Sequence, residues 1–217
     1  MFRSCMDERA QGIVLRVHPL TETSLIVRWL TAELGRTATV AKGARRPKSP
    51  FRGKLDLFYF ADFTFSRSRR SELHTLREMN LLETNPLLRR DLRYVQQASY
   101  CTALVEQATE VETPLPAVFK LMHSLLQYLA RREPLPQTIF GFELKLLAEL
   151  GLEPDLAKSR LTEGARDIVK LLGRSDWNAA GSMKLGGELI ELQQFLHGFL
   201  IYHLGKIPKG RVAALGV

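Results

Sequence analysis

The feature that most constrains this chain is a change of hydrophobic period at Asn85-Pro86. Before it, apolar residues alternate with polar ones in short runs broken by turn residues. After it they recur every three or four residues. A period-2 pattern does not settle as a helix, nor a 3.6-residue pattern as a strand, so the two halves must fold as different classes. The 217 residues are enough for two small domains, and the spacing predicts a β domain over 1–83 and an all-helical domain over 84–217.

In the first half, Ile13–Val17, Ser24–Leu30 and Arg36–Ala41 read as three strands. Gly43 to Gly53 holds Pro47 and Pro50 and reads as a loop. Leu55–Phe65 reads as a long aromatic strand and Glu72–Leu76 as a fifth. Five short strands with one long loop between the third and fourth predict a small closed antiparallel barrel. In the second half, Leu87–Glu110 is a long helix candidate with Leu88, Leu92, Val95, Ser99 and Leu104 along one stripe. Thr113 to Pro116 breaks it. The next helix places Val118, Leu121, Met122, Leu125, Leu126 and Leu129 on one face. Further helices are expected over Phe140–Leu150, near Arg166–Leu172 and over Glu188–Leu204, with a loose stretch at Trp177–Gly187 and a basic tail holding Lys206, Lys209 and Arg211.

Charge is segregated. The chain carries 31 Lys and Arg against 23 Asp and Glu, a net +8. Residues 1–83 alone hold 15 basic and 9 acidic residues. From Arg36 to Lys54 there is no acid at all among Arg36, Lys42, Arg45, Arg46, Lys48, Arg52 and Lys54. Arg67, Arg69 and Arg70 follow one strand later. A local excess of this kind holds phosphates, whereas a basic loop of no function would only aid solubility. Nucleic acid is thus expected ahead of anionic membrane, and no apolar run approaches the length of a membrane span. The first nine residues lack the apolar core of a secretory signal. Cys5 and Cys101 are too few for a disulfide framework or a four-cysteine zinc site. A cytoplasmic protein without cofactor or structural metal is expected.

No enzyme signature is present: neither GxGxxG, nor GxxxxGK[ST], nor GxSxG. His197 and His203 lie six apart, about 240° around a helix, and cannot share a ligand on one face. His123 reads as a helix-surface residue, Glu106 and Glu110 as a solvated i, i+4 pair, and Cys101 as a buried inert thiol. In the aromatic strand, Phe58 and Phe60 point one way, Tyr59, Phe63 and Phe65 the other. One set fills the barrel. The other either stacks on bases or is buried against the helical domain.

Several segments, in order, resemble the bacterial recombination mediator RecO family. They are Gly12–Leu15, Thr21–Val27, Leu30–Arg36, and most specifically Val40-Ala41-Lys42-Gly43-Ala44-Arg45-Arg46-Pro47-Lys48-Ser49. The strand Leu55–Phe65, Tyr100, Phe142–Leu147 with Leu150-Gly151-Leu152, and the closing His203–Lys206 and Lys209–Arg211 continue the match. The resemblance implies an N-terminal OB-fold and a C-terminal helical domain. It also implies binding of single- and double-stranded DNA, annealing of complementary strands, and work with RecR to load RecA on strands coated by single-strand-binding protein. In studied members the helical domain binds that coating protein's acidic tail. Two departures stand out. Many members carry a four-cysteine zinc element after the Leu-Gly-Leu segment, whereas Glu153-Pro154-Asp155-Leu156 here leads into no cysteine, so zinc should be absent. Members that capture the tail commonly have arginine before the Phe-Glu pair, where this chain has Gly141; Lys145, one turn on, could supply the charge.

The expected interface is therefore Arg36, Lys42, Arg45, Arg46, Lys48, Arg52 and Lys54, extended by Arg67, Arg69 and Arg70. Neutralising about four to six phosphates gives a single-strand salt slope of about −3 to −4. A partner groove is expected around Phe142, Lys145 and Leu146. The alternatives are an RNA-binding OB-fold protein and, more remotely, a metal-dependent nuclease.

Overall fold

The computed structural model describes residues 7–216; Cys5 and the first six of the nine residues read for a leader lie outside the described residues, as does Val217. Contacts divide the chain into two compact units, Met1–Asn85 with Thr109–Lys120, and Pro86–Ala108 with Leu121–Val217. A single cut after Glu83 misses the return of residues 109–120 to the first unit.

The first unit is a closed barrel of β1 (Asp7–Pro19), β2 (Leu25–Thr31), β3 (Gly35–Ala41), β4 (Phe60–Ser66) and β5 (Leu73–Glu83), in the order β1-β2-β3-β5-β4. It is not wholly antiparallel as expected, because β3 and β5 run parallel, Ala38 facing Leu73 and Val40 facing Thr75. Strands β1 and β5 outrun their sequence patterns because successive stretches of each pair with different neighbours. Asp7 to Ile13 pairs with β4, and Gly12 to Pro19 pairs with β2 across an irregularity between Val14 and Arg16. Such bulges bend a strand around a barrel. Leu55–Tyr59 is not strand. Phe58 turns with φ +64° while its N–H donates to Val14 O (2.9 Å) and Tyr59 O accepts from Val14 N (2.8 Å).

Trp29 is wholly buried in the core, stacked on Phe63 at 4.2 Å, with its Nε1 donating to Thr39 Oγ1 (2.8 Å). Phe65 lies beside Phe63. On the other side of β4, Phe60 meets Phe119 at 6.1 Å. The 109–120 segment is fastened along β3: Glu112 N donates to Arg36 O (2.8 Å), and the Arg36 guanidinium bonds Thr109 Oγ1 (2.9 Å) and Thr109 O. Gly35, at φ +66°, permits this approach, since a Cβ there would lie 2.0 Å from Thr113 O.

The second unit is helical: α1 (Leu92–Ala108), the remainder of α2 (Pro116–Leu129), α3 (Pro136–Glu149), α4 (Glu163–Arg174), α5 (Trp177–Ser182), α6 (Glu188–Leu204) and α7 (Arg211–Leu215). Helix α3 packs against α1, α4, α5, α6 and α7, which is why it is apolar nearly all round. Its central charge, Glu143, is fully buried. Arg211 answers it with Nε to Oε1 (2.7 Å) and Nη2 to Oε2 (2.9 Å), and Tyr100 OH donates to Oε1 (2.5 Å). Arg211 is thus a buried anchor of α7, not part of a solvated tail. Of the stripe expected on the first helix, Leu88 and Leu104 are buried and Val95 and Ser99 half-buried, but Leu92 is exposed, and Ala98, Cys101 and Val105 complete the buried face. Burial pushes the Cys101 thiol well above its ordinary range, so it stays an unreactive thiol. Among the described residues no helix is long and apolar enough to cross a membrane.

Candidate nucleic-acid interface

The basic segment is a built loop. After β3 the chain turns at Gly43 (φ +66°), with Arg46 N donating to Gly43 O (3.0 Å). Further turns follow, Ser49 N to Arg46 O (3.1 Å), Arg52 N to Ser49 O (3.2 Å) and Lys54 N to Phe51 O (3.1 Å). Two apolar side chains, Ala44 and Phe51, sink into the barrel core. The loop also docks on the β1–β2 turn through Arg45 N to Thr23 O (2.9 Å) and Gly43 N to Ser24 Oγ (3.3 Å). With the apolar members inside and the backbone bonded, Lys42, Arg45, Arg46, Lys48 and Arg52 are left exposed, and Lys54 is half-buried. Arg52 Nη1 donates to Pro47 O (3.1 Å), stiffening the tip. The loop presents cations on a framework ordered in advance, which lowers the entropic cost of binding a polyanion.

Two expected members of the interface are engaged elsewhere. Arg36 spends its guanidinium on Thr109. Arg67 is paired with Glu8 (2.7 Å) and Glu112 (3.2 Å), and this arginine holds the Glu8 carboxyl below its usual range. Glu112 also meets His74 Nε2 (2.8 Å), so the cluster fastens the 109–120 segment to the barrel. Arg69 and Arg70 are exposed on the β4–β5 turn, but at the other end of β3 from the basic loop, because β3 and β5 are parallel. Leu73, the first residue of β5, faces Ala38 in the middle of β3, so the turn before it lies toward the Gly35 end and the basic loop beyond the Ala41 end.

Between them lies a pair the sequence reading missed. Arg16 and Arg28 are direct cross-strand partners on β1 and β2; Arg28 is exposed and Arg16 half-buried. The register thus brings two cations side by side on one face of the sheet. Arg28 faces Ala38 of β3, which faces Leu73 of β5, so these arginines lie on the route from the loop to Arg69 and Arg70. Neither belongs to a run of charge, and only the strand register brings them together.

Base stacking by the β4 aromatics is closed off. Phe58, Phe60, Phe63 and Phe65 are all buried, and Tyr59 packs against the core. The groove expected in the helical unit is likewise closed at its named residues: Phe142 and Leu146 are 0% and 1% exposed. Lys145 donates to Gly173 O (3.0 Å) and Ser175 O (2.6 Å), tying down the end of α4. Among the described residues no three His, Cys, Asp or Glu side chains gather as a metal site would require.

Comparison with known proteins agrees with this architecture. Residues 6–85 match the family model described as "Recombination protein O N terminal", and residues 89–162 match "Recombination protein O C terminal". "DNA repair protein RecO" of Bacillus pumilus is 31% identical over 148 residues, 68% of this chain and 57% of that protein. The protein of the same name from Listeria monocytogenes serotype 4b is 33% identical over 152 residues, 70% of this chain and 58% of that one. That of Bacillus subtilis is 30% identical over 151 residues, with the same two shares. The match thus spans under three fifths of the length of these relatives. A five-stranded barrel of OB-fold order followed by helices, matched in both halves, makes this chain a member of the RecO family of DNA repair and recombination proteins.

Proposed function

We propose that the chain is a non-enzymatic DNA-binding mediator that anneals complementary single strands and, with RecR, helps load RecA on strands coated by single-strand-binding protein in the bacterial cytoplasm. The observation that carries the DNA-binding part is the stapled loop, with Lys42, Arg45, Arg46, Lys48 and Arg52 exposed on a bonded framework. The site is electrostatic: with the β4 aromatics buried, contact falls on phosphates, which position a strand without reading its sequence. That suits annealing, where two strands of arbitrary sequence must approach and their mutual repulsion must be screened. The contacts to RecR and to the tail of the coating protein rest on family membership, and Phe142 and Leu146, being buried, are not their surface.

The test is annealing of complementary oligonucleotides against salt, by wild type and by a variant with Lys42, Arg45, Arg46 and Lys48 all changed to Ala. Acceleration by wild type that the variant loses supports the proposal. Strand binding without acceleration, or a preference for structured RNA, refutes it.

A further inference from the structure

The helical unit holds a second cationic site, built around Trp177. Where α2 ends and α5 begins there is a cavity of about 520 Å3, lined by Gln127, Tyr128, Arg131, Arg132, Trp177 and Asn178 among others. A neighbouring cavity of about 270 Å3 shares Tyr128, Arg132 and Asn178.

Trp177 is held in place. It opens α5, which Asp176 caps by accepting from Ala179 N (2.8 Å). Its Nε1 donates to Ser124 Oγ (2.9 Å), and its ring stacks on Tyr128 at 6.1 Å. The Lys145 ammonium, anchored on the end of α4, lies 5.7 Å from the indole centroid. Tyr128 in turn fits against Gly181, where a Cβ would stand 1.9 Å from the phenol oxygen. The indole is nevertheless half-exposed. Arg131 and Arg132 are exposed; their backbone N–H groups both donate to Tyr128 O (2.9 and 3.0 Å), while among the described residues neither guanidinium makes a hydrogen bond or an ion pair. A helix C-terminus accounts for a cation in that turn. It does not account for two uncommitted guanidiniums beside a rigid, half-exposed indole in a cavity of ligand size.

The larger cavity has one carboxylate, Asp176, already serving as a helix cap, against two arginines; the smaller one adds Glu133. An anion therefore favours the larger. A half-exposed indole, two guanidiniums and the side-chain amide of Asn178 together fit a nucleotide: the base packs against the exposed part of the indole and the phosphate takes the arginines. We infer that this cavity is a subsite for a nucleotide of single-stranded nucleic acid, separate from the basic loop. The inference rests on the reading that the chain handles DNA strands, and it gives the helical unit a strand contact of its own.

Intrinsic fluorescence tests it on the full chain. The chain has two tryptophans; Trp29 is wholly buried in the barrel, so a base packed against an indole reports on Trp177. An oligothymidylate of about twelve nucleotides should quench the emission, with the midpoint shifted about tenfold by Arg131→Gln with Arg132→Gln and the quench removed by Trp177→Phe. The shift in the arginine variant, whose changes are on exposed residues, holds even if the tryptophan variant folds poorly. The loop variant with four alanines should keep the quench. Strand binding seen by anisotropy, but without quench and indifferent to the arginine variant, overturns the subsite and leaves the proposed function standing. Absence of strand binding by either readout overturns both. Equal quenching by thymidine monophosphate, or quenching by a poly-glutamate peptide but not by the oligonucleotide, overturns the assignment to a strand.

Discussion

The salt dependence of single-strand binding separates exposed cations from engaged ones. Five loop cations are exposed; at about 0.7 counterions released per phosphate, five contacts give a slope of about −3.5 in log K against log salt. Raising salt fourfold, from about 50 to about 200 mM, then weakens binding about 130-fold. Changing Lys42, Arg45, Arg46 and Lys48 to Ala leaves Arg52, a slope of about −0.7 and a loss of about 2.5-fold over the same range. Contacts elsewhere on the protein add equally to both, so the quantity to compare is the difference in slope, about 2.8. Arg36→Gln and Arg67→Gln, in the same charge-rich stretch of sequence, should leave the slope unchanged. Their guanidiniums are spent on Thr109, Glu8 and Glu112. Fluorescence anisotropy of a labelled strand at five or so salt concentrations measures all of this. A quadruple variant whose slope falls by less than about 1, or Arg36 and Arg67 variants that flatten it as the loop variant does, would refute the reasoning.

Three further outcomes follow from the packing. Arg211→Ala leaves the buried Glu143 carboxylate with Tyr100 as its remaining side-chain partner; urea denaturation should show a loss of about 3–5 kcal/mol, much of it recovered when Glu143→Gln is added. The Arg9 guanidinium holds the Asp62 carboxyl below its usual range. Its stabilisation is complete above the unfolded carboxylate value of about 3.9 and is lost as pH falls through the lower folded value. Thermal unfolding of Asp62→Asn between about pH 2 and 6 should therefore show a shallower acid limb than wild type. Gly35→Ala combines a left-handed backbone with a collision at Thr113 O and should cost about 3 kcal/mol or more, whereas Gly198→Ala, inside α6 where a Cβ meets nothing, should stabilise by about 0.5–1 kcal/mol in the same urea titration.

Much of the fold was legible along the chain, because alternation and helical spacing report directly on which side of an element is buried. Helix α6 spans Glu188–Leu204 as its pattern indicates, and the apolar face of α2 is buried at each expected position. Strand ends were less legible. β1 and β5 run on because successive stretches of each pair with different neighbours, a property of closure that neither strand's own residues encode. The aromatic strand was misread at Leu55–Tyr59, where Asp56 and the positive φ of Phe58 make a turn. The loop cations could be read because proline, glycine and uninterrupted charge mark an exposed loop. Arg36, Arg67 and Arg211 could not be told from them, since a guanidinium's partner is chosen by residues 45 to 73 positions away.

The sequence alone determined that this chain is a barrel followed by helices, and that its positive charge concentrates in the first unit. Those properties are local: periodicity and composition act on neighbouring residues and survive any arrangement of the elements. Only the tertiary structure decided which arginines face solvent. It set Arg16 opposite Arg28, returned residues 109–120 to β3, and gathered Arg131, Arg132 and Trp177 around one cavity. A charged side chain costs free energy to bury unless it is paired, and its pairing is settled by strand register and chain path.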